Sequence, residues 1–373
     1  MKKKQLVVGL VVLAIFAVFI VWARHRVHFD FGEFRSQLAL ADWRKMAIGL
    51  GCIYLGFVFR SARWALLLRH NKKVPPFSLV GTQVMGFTAV ALIGRVADLV
   101  RPYLVTRKTG LPLSSQIAVY IVERLSDMGS IALIFSIAVI SIPQAQIDAA
   151  IQHSPHLAAM NQHAPGLASF LFRFGGLLLT LAGVAFLVGI RLGGEIIAKF
   201  FERAFGLVSK NLGHALGEKI RTFHSGLDTI RSWGDFAWLA GLSLGMWVII
   251  AWAYFETMRA FTASPQLANI PVSKVVLLMV VSGGASILQL PVLGWFSQIG
   301  IVAAALTGFF AAAPEAATAC AAMLLVVTFL GVIPVGLVWA QLENVNLRKV
   351  TAESEHAEEE ALGLGEHEFG SGK

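Results

Sequence analysis

Long apolar runs recur along the whole chain, and their lengths predict helices that cross a membrane. A bilayer core about 30 Å thick needs roughly 20 apolar residues in a helix. Six runs of about this length are predicted to be crossing helices: Leu6–Trp22, Met46–Leu68, Gln116–Ile142, Leu167–Ile190, Phe236–Met258 and Ala317–Leu342. The pattern therefore predicts an all-α, polytopic integral membrane protein.

Two further apolar segments are interrupted by glycine and proline, and we predict that they form re-entrant hairpins. Gly94 and Pro102 interrupt Phe77–Val105, and Pro291 interrupts Val272–Phe310. Irregular backbone at membrane depth is tolerated only against protein or beside a water-filled cavity. Basic residues flank the first segment, so it should enter from the cytoplasm, whereas the second should enter from outside. Two opposed hairpins among about eight hydrophobic segments favour an inverted repeat with a site at the midplane.

The composition fits this class of protein. The chain is 56% hydrophobic and only 14% charged, with a mean hydropathy of +0.70, whereas an ordinary globular domain is about 25% charged. In a membrane protein, a net charge of +9 indicates cytoplasmic loops and anionic lipid headgroups rather than nucleic acid. We predict a plasma (inner) membrane protein with both termini in the cytoplasm. Residues 24–45 are basic although this topology places them outside.

The chain divides into a membrane domain and a tail. Residues 1–345 are predicted to form the membrane domain, within which residues 191–235 form a basic amphipathic segment on the cytoplasmic surface. Residues 346–373 hold seven glutamates and are predicted to be a disordered cytoplasmic tail. We expect no cofactor and no metal, because no catalytic triad, nucleotide-binding loop or metal-ligand spacing stands out.

Charged side chains within or beside the apolar runs are the candidate chemistry. An ionised side chain at mid-bilayer costs roughly 2.5–3.5 kcal/mol on insertion scales. A group of such residues is therefore expected to be paired, hydrated or used for binding. The candidates are Arg60, Arg63, Arg95, Asp98, Arg101, Glu123, Arg124 and Asp127.

The spacing of these residues predicts which of them lie together. Arg95, Asp98 and Arg101 are three apart in succession, so on a helix they would form one stripe of alternating sign. Glu123 and Asp127 are four apart and would share one helix face. The stripe therefore predicts a polar lining for the first hairpin, facing the charged helix that follows it.

The charge balance of this set points to an anionic ligand. With Arg124, the stripe and the helix face hold three arginines and three carboxylates, which leaves Arg60 and Arg63 as surplus charge. A planar guanidinium binds phosphate oxygens in pairs, so the surplus suits a lipid phosphate. Two alternatives stay open. The charges could be ion pairs that fasten the hairpin to its neighbour, and Arg60 and Arg63 could extend to the headgroups along their aliphatic stems.

Several blocks of the chain resemble the membrane region of the lysylphosphatidylglycerol synthase/flippase family. They are Arg60–Trp64, Gly94–Leu104 and Glu123–Asp127, in the family's order, and the resemblance extends over roughly residues 5 to 345. It implies a flippase-like membrane protein without the family's aminoacyl-transferase domain. The expected cargo is an anionic or polyprenyl-phosphate-type lipid, and a separate lipid-modifying synthase is an expected partner.

The second hairpin departs from the family pattern. The family resemblance implies a glycine-rich block that ends in glutamate, whereas the matching stretch here is Pro291–Gln298 and ends in an amide. We therefore keep Gln298 as a candidate headgroup contact that acts through hydrogen bonds.

The first functional hypothesis is a lipid translocator that moves a phosphate-bearing or aminoacylated lipid between leaflets. The alternatives are a membrane-embedded transferase, with Glu123 or Asp127 as its base, and an accessory or scaffold subunit in lipid or glycolipid biosynthesis.

Overall fold

The described part of the chain is a bundle of α-helices. The computed structural model describes residues 29–153, 159–160, 162, 164–206, 214, 232–285 and 293–361. The predicted first helix, Leu6–Trp22, lies outside these residues. The helices are, in chain order, α1 (Phe31–Ala39), α2 (Trp43–Leu68), α3 (Val80–Ile93), α4 (Val100–Thr109), α5 (Leu113–Ile140), α6 (Gln144–His153), α7 (Leu167–Gly206), α8 (Trp233–Arg259), α9 (Pro265–Ala268), α10 (Val272–Ala285), α11 (Leu293–Phe310), α12 (Pro314–Thr328), α13 (Ile333–Leu342) and α14 (Leu347–Ala361).

The lengths and compositions of these helices confirm an all-α polytopic membrane fold. Among the residues that the structure describes, four helical stretches are long and apolar enough to cross a membrane: Trp43–Leu68, Pro76–Ile93, Trp233–Arg259 and Pro314–Leu342. The helix α5 has 28 residues, but three charged residues in its middle lower its hydropathy. The exact number of crossings stays a prediction.

Two long helices, α2 and α8, pack against each other and define the two ends of the bundle. At the end that we call the basic end, which holds Arg69–Lys73, Arg69 forms an ion pair with Asp235. At the opposite end the backbone N–H of Asp42 donates to the carbonyl of Ala260 at 2.8 Å. Each contact joins the end of one helix to the start of the other, so α2 and α8 run in opposite directions.

The helices α3 and α4 form the first hairpin. Gly94 ends α3 with a φ of 99°, a conformation that glycine adopts without steric cost. A 3-10 turn over Arg95–Leu99 then leads into α4. The Lys72 ammonium donates to the carbonyl of Thr109 at 2.6 Å. The segment therefore starts and finishes at the basic end, as the interrupted pattern predicts.

The helices α10 and α11 form the second hairpin, whose tip, residues 286–292, lies outside the described residues. Its arms are joined near the tip, where the Gln298 amide donates to the Ser282 hydroxyl at 3.2 Å. They also meet at the base, where the Lys274 ammonium lies 5.5 Å from the centroid of the Phe310 ring. Since α10 follows the end of α8 after a short connection, this hairpin starts from the end opposite to the first.

The order of helix, hairpin and helix occurs twice, with opposite directions. The first unit is α2, the first hairpin and α5, and the second is α8, the second hairpin and the broken helix α12–α13. The break lies at Phe329 and a 3-10 turn over Leu330–Val332. The far half of this helix packs tightly on the first hairpin, because a β-carbon at Gly336 would overlap Thr88.

The C-terminal region differs from the prediction of a disordered tail over residues 346–373. Residues Leu347–Ala361 form α14, in which Leu347, Val350 and Ser354 are buried. These residues are three and four apart and make one helix face, which packs against the first hairpin. The glutamate-rich composition hides this narrow face. Residues 362–373 lie outside the described part.

The predicted cytoplasmic segment over residues 191–235 overlaps the end of α7, which has a kink at Gly193. Ile196 and Phe200 are exposed on this part of the helix. Most of the remainder, residues 207–213 and 215–231, lies outside the described residues, so its placement on the membrane surface stays a prediction.

Candidate functional site

Six charged side chains from three helices meet inside the bundle and form what we call the charged cluster. Four of them are almost completely buried, with exposed fractions of 0% for Arg63 and Arg101, 1% for Glu123 and 3% for Asp127. Buried charges are stable only when they are paired. The members are Arg60 and Arg63 from α2, Arg101 from α4, and Glu123, Arg124 and Asp127 from α5.

Arg63 lies at the centre of the cluster and bridges both carboxylates. Its Nη2 donates to Glu123 Oε1 at 2.7 Å, and its Nη1 donates to Asp127 Oδ1 at 2.5 Å and to Ser243 Oγ at 2.9 Å. The carboxylates are four apart on α5, so one planar guanidinium reaches both. In the structure Arg63 is thus paired and buried rather than left as surplus charge or extended to the headgroups, and its role as a headgroup contact stays a prediction.

Arg101 completes an inner set of charges with Arg63, Glu123 and Asp127. Its Nη1 donates to Glu123 Oε2 at 3.3 Å, and its guanidinium lies 4.6 Å from the centroid of the Phe87 ring. Stacking of this kind stabilises a buried cation. The inner set contains two guanidinium groups and two carboxylates, so it is formally neutral.

A cavity of about 260 Å³ lies beside this inner set, between the two hairpins. Its walls come from both helix–hairpin–helix units, so it occupies the position between the opposed hairpins that the sequence predicts for a site. Among the polar residues that line it, Arg60, Asp98 and Arg124 from the first unit form what we call the charged wall, and Tyr254, Ser282, Gln298 and Thr328 come from the second unit.

The charged wall has a net charge of +1, carried by Arg60, Arg124 and Asp98, which we call the cavity set. Arg60 Nη1 lies 3.4 Å from Asp127 Oδ2, and Arg124 Nη1 lies 3.9 Å from the same atom. The Arg124 side chain is 38% exposed. These contacts are longer than those of Arg63, so the guanidinium groups of the cavity set retain capacity for a ligand.

The second unit contributes neutral polar groups to the lining, and we call these residues the neutral wall. The Tyr254 hydroxyl donates to Ser282 Oγ at 2.9 Å, and Gln298 Nε2 donates to the same oxygen at 3.2 Å. Gln298 Oε1 is buried and has no hydrogen-bond partner among the described residues. Gln298 therefore lines the cavity and carries an unused acceptor.

Comparison with known protein families identifies the class of this chain. The family model for the lysylphosphatidylglycerol synthase TM region matches residues 6–337. The chain belongs to this family. Comparison with curated proteins gave no match, and comparison with solved structures gave none either.

Membership of the lysylphosphatidylglycerol synthase TM-region family confirms the resemblance noted in the sequence. It indicates a multi-pass membrane protein with a function related to membrane lipids. The matched model describes a transmembrane region, which is compatible with a protein that is not itself an enzyme. Within the described ranges, no group of three or more His, Cys, Asp and Glu side chains could hold a metal ion.

The predicted stripe of the first hairpin is divided in this family member. Arg95–Leu99 is a 3-10 turn and the α-helix begins at Val100, so the three charged residues do not share one regular helix. Asp98 lines the cavity and Arg101 lies in the inner set. The side chain of Arg95 lies outside what the structure describes, so its role stays a prediction.

Three residues of the site on α8 escaped the sequence analysis: Ser243, Trp247 and Tyr254. Ser243 accepts a hydrogen bond from Arg63, and Trp247 Nε1 donates to Asp127 Oδ1 at 3.2 Å. Single polar side chains in an apolar helix carry no distinctive signal. Ser282 was identifiable in principle, because it precedes Gly283 and Gly284 in the interrupted segment.

Proposed function

We propose that this protein is a lipid translocator that moves a phosphate-bearing lipid between leaflets, with the headgroup passing through the cavity between the hairpins. The observation that carries this proposal is the charge of the cavity. The cavity set has a net charge of +1 beside a neutral inner set, and a phosphodiester carries one negative charge. Guanidinium groups bind phosphate oxygens through charge-assisted hydrogen bonds.

The architecture supports movement of a headgroup rather than static binding. The cavity lies between two interrupted hairpins that start from opposite ends of the bundle. The break in α12–α13 also borders it, through Phe329 and Val332. Transporters with opposed units bind their substrates at the midplane and expose the site to each side in turn. Breaks in helices are suitable points for the change of backbone angles that this requires.

The orientation follows from the charges at the ends of the bundle. The basic end holds Arg69, Lys72 and Lys73, with Arg107 and Lys108 close by at the end of the first hairpin. Such residues favour the cytoplasmic side. In this proposal the basic end therefore faces the cytoplasm of the plasma membrane, with both termini on that side.

A reconstitution experiment tests the proposal. The purified protein is placed in liposomes that contain an anionic phospholipid with a fluorescent label, and a membrane-impermeant reductant bleaches the outer leaflet. Wild-type protein is expected to expose the inner-leaflet label to bleaching. Arg124→Gln is expected to slow this roughly tenfold or more, since a hydrogen bond to a charged group contributes about 1.5–3 kcal/mol.

The matched control for this experiment is Arg203→Gln, which removes an exposed arginine on α7. It should transport lipid at the wild-type rate. If folded wild-type protein leaves the inner-leaflet label protected for every phosphate-bearing lipid tried, the translocator proposal is wrong. If Arg124→Gln and Arg203→Gln transport lipid at the same rate, the cavity set does not take part in transport.

A further inference from the structure

We infer that the cargo headgroup carries an uncharged, hydroxylated group beyond its phosphate, such as glycerol or a sugar, and that the neutral wall of the second hairpin recognises it. This inference rests on the proposed function, which assigns the phosphate to the cavity set, and adds the chemical class of the rest of the headgroup. It is carried by the presence of Gln298, Ser282 and Tyr254 in the lining of the same cavity as Arg60 and Arg124.

The amide of Gln298 is the first observation. The residue is only 6% exposed, it lines the cavity, and its Oε1 is buried with no hydrogen-bond partner among the described residues. A buried polar atom without a partner costs free energy. A ligand that fills the cavity and donates a hydrogen bond to this atom would recover that cost.

The neutrality of the wall is the second observation, and it selects against a cationic headgroup. Its polar members, Tyr254, Ser282, Gln298 and Thr328, are all uncharged. An ammonium removed from water needs an anionic partner in contact. The carboxylate that lines the cavity, Asp98, is accompanied there by two arginines, so once the phosphate is bound the cavity set has no unpaired negative charge for an ammonium.

A hydroxyl complements this wall better than an ammonium for a further reason. The end of an amide side chain can present either its oxygen or its nitrogen after a half turn. A hydroxyl both donates and accepts, so it pairs with Gln298 in either orientation. An ammonium only donates, so it pairs with one orientation alone.

The positions of the two walls also match the order of groups in a phospholipid. The cavity set belongs to α2, the first hairpin and α5, whereas the neutral wall belongs mainly to α8 and the second hairpin. A headgroup that places its phosphate on the first wall can place its terminal group on the second, because both line one cavity. The two halves of the molecule would thus bind two parts of one lipid.

Lipid binding to the purified full-length chain tests the inference. Three lipids with identical acyl chains are compared by native mass spectrometry: phosphatidylglycerol, which has hydroxyls; phosphatidylethanol, which has the same charge and none; and phosphatidylethanolamine, which has an ammonium. Phosphatidylglycerol is expected to bind roughly tenfold more tightly than phosphatidylethanol, because it can form one more hydrogen bond, to Gln298. Phosphatidylethanolamine is expected to bind most weakly.

Variants of Gln298 test whether this residue is the source of the preference for phosphatidylglycerol. Gln298→Leu should bind phosphatidylglycerol and phosphatidylethanol equally, and Gln298→Glu should gain affinity for phosphatidylethanolamine. The matched control is Gln341→Leu, which alters an exposed glutamine on α13 and should keep the wild-type preference. Circular dichroism and size-exclusion profiles show whether each variant is folded. If Gln298→Leu does not fold, Ser282→Ala replaces it as the test variant.

The outcomes separate this inference from the proposed function. If the wild type binds the two anionic lipids equally, and Arg124→Gln weakens both, the hydroxyl assignment is wrong and the phosphate site stands. If Gln298→Leu keeps the wild-type preference for phosphatidylglycerol, the neutral wall does not recognise the headgroup. If folded wild-type protein binds none of the three lipids above bulk, both the proposed function and the inference are wrong.

Discussion

The first hairpin brings Arg101 against a carboxylate of α5, whereas the second brings Gln298 against the hydroxyl of Ser282. Both hairpins consist of two short helical arms, and both place polar groups beside the same cavity. Their chemistry differs because their own side chains differ: the first hairpin carries Asp98 and Arg101, whereas the second carries Ser282 and Gln298. The helix α5 packs against both hairpins, so the shared neighbour does not explain the difference. Each interrupted helix therefore brings its own polar residues to the cavity.

The charged side of the cavity contains a similar contrast on a smaller scale. Arg63 is 0% exposed and its three hydrogen bonds are 2.5–2.9 Å long. Arg124 is 38% exposed on its side chain and lies 3.9 Å from its acidic partner. The inner set thus has the geometry of a structural element, and the cavity set has the geometry of a binding surface. Changes to the two sets should separate stability from transport.

The largest effect is expected from Glu123→Gln in the inner set. The change removes the carboxylate that pairs with Arg101 and leaves Arg63 with Asp127 alone, and the loss of one partner from a buried ion pair costs about 3–5 kcal/mol. The free energy of unfolding, measured by titrating the purified protein in mixed micelles with a denaturing detergent, should fall by that amount.

The control for this change is Glu343→Gln. Glu343 pairs with Lys108 at 3.1 Å, and both side chains are about one third exposed. An exposed pair contributes roughly 0–1 kcal/mol. If both variants lose the same small amount, the inner set does not hold the helices together and the contrast between the two sets fails.

A smaller effect is expected from Gly86→Ala in the first hairpin. A β-carbon at this position would overlap the aliphatic part of the Arg101 side chain, and overpacking costs about 1–3 kcal/mol. The displaced Arg101 would also weaken its contact with Glu123, so the rate of lipid transport should fall together with the stability.

The matched substitution on α5 is Gly129→Ala, where a β-carbon meets no atom within 4 Å. Alanine is favoured over glycine inside a helix by about 1 kcal/mol, so this variant should be as stable as the wild type or more so. Equal behaviour of the two alanine variants would show that the hairpin does not depend on close approach at Gly86.

The smallest effect is expected from Tyr254→Phe in the neutral wall. It removes one neutral hydrogen bond to Ser282, which contributes about 0.5–1.5 kcal/mol. Tyr54→Phe removes a comparable bond, from the Tyr54 hydroxyl to the carbonyl of Gly331 at 2.8 Å. The unfolding titration should show similar losses for the two variants, whereas only Tyr254→Phe should alter the lipid preference. A changed preference in both would mean that the effect spreads through the bundle rather than acting at the wall.

The helices were predictable from the sequence because the signals for them are local. Apolar runs of sufficient length identify spanning segments, and Gly94 marks the turn of the first hairpin because its positive φ suits glycine. The members of the charged cluster were identifiable as well, since an ionisable residue in an apolar run stands out by itself. Helix α14 was missed because its buried face is narrow and its other residues are those of a disordered tail.

The sequence by itself thus determined the class of fold, the two interrupted segments and the charged residues that meet inside the bundle. Only the tertiary structure decided which arginine is structural and which borders the cavity. Ser243 lies 180 residues from Arg63, and Asp127 lies 64 residues from it. Ion pairing depends on distances of a few ångströms between helices that are far apart in the chain. Residue spacing along one helix does not contain that information, because the packing of α2, α5 and α8 brings these side chains together.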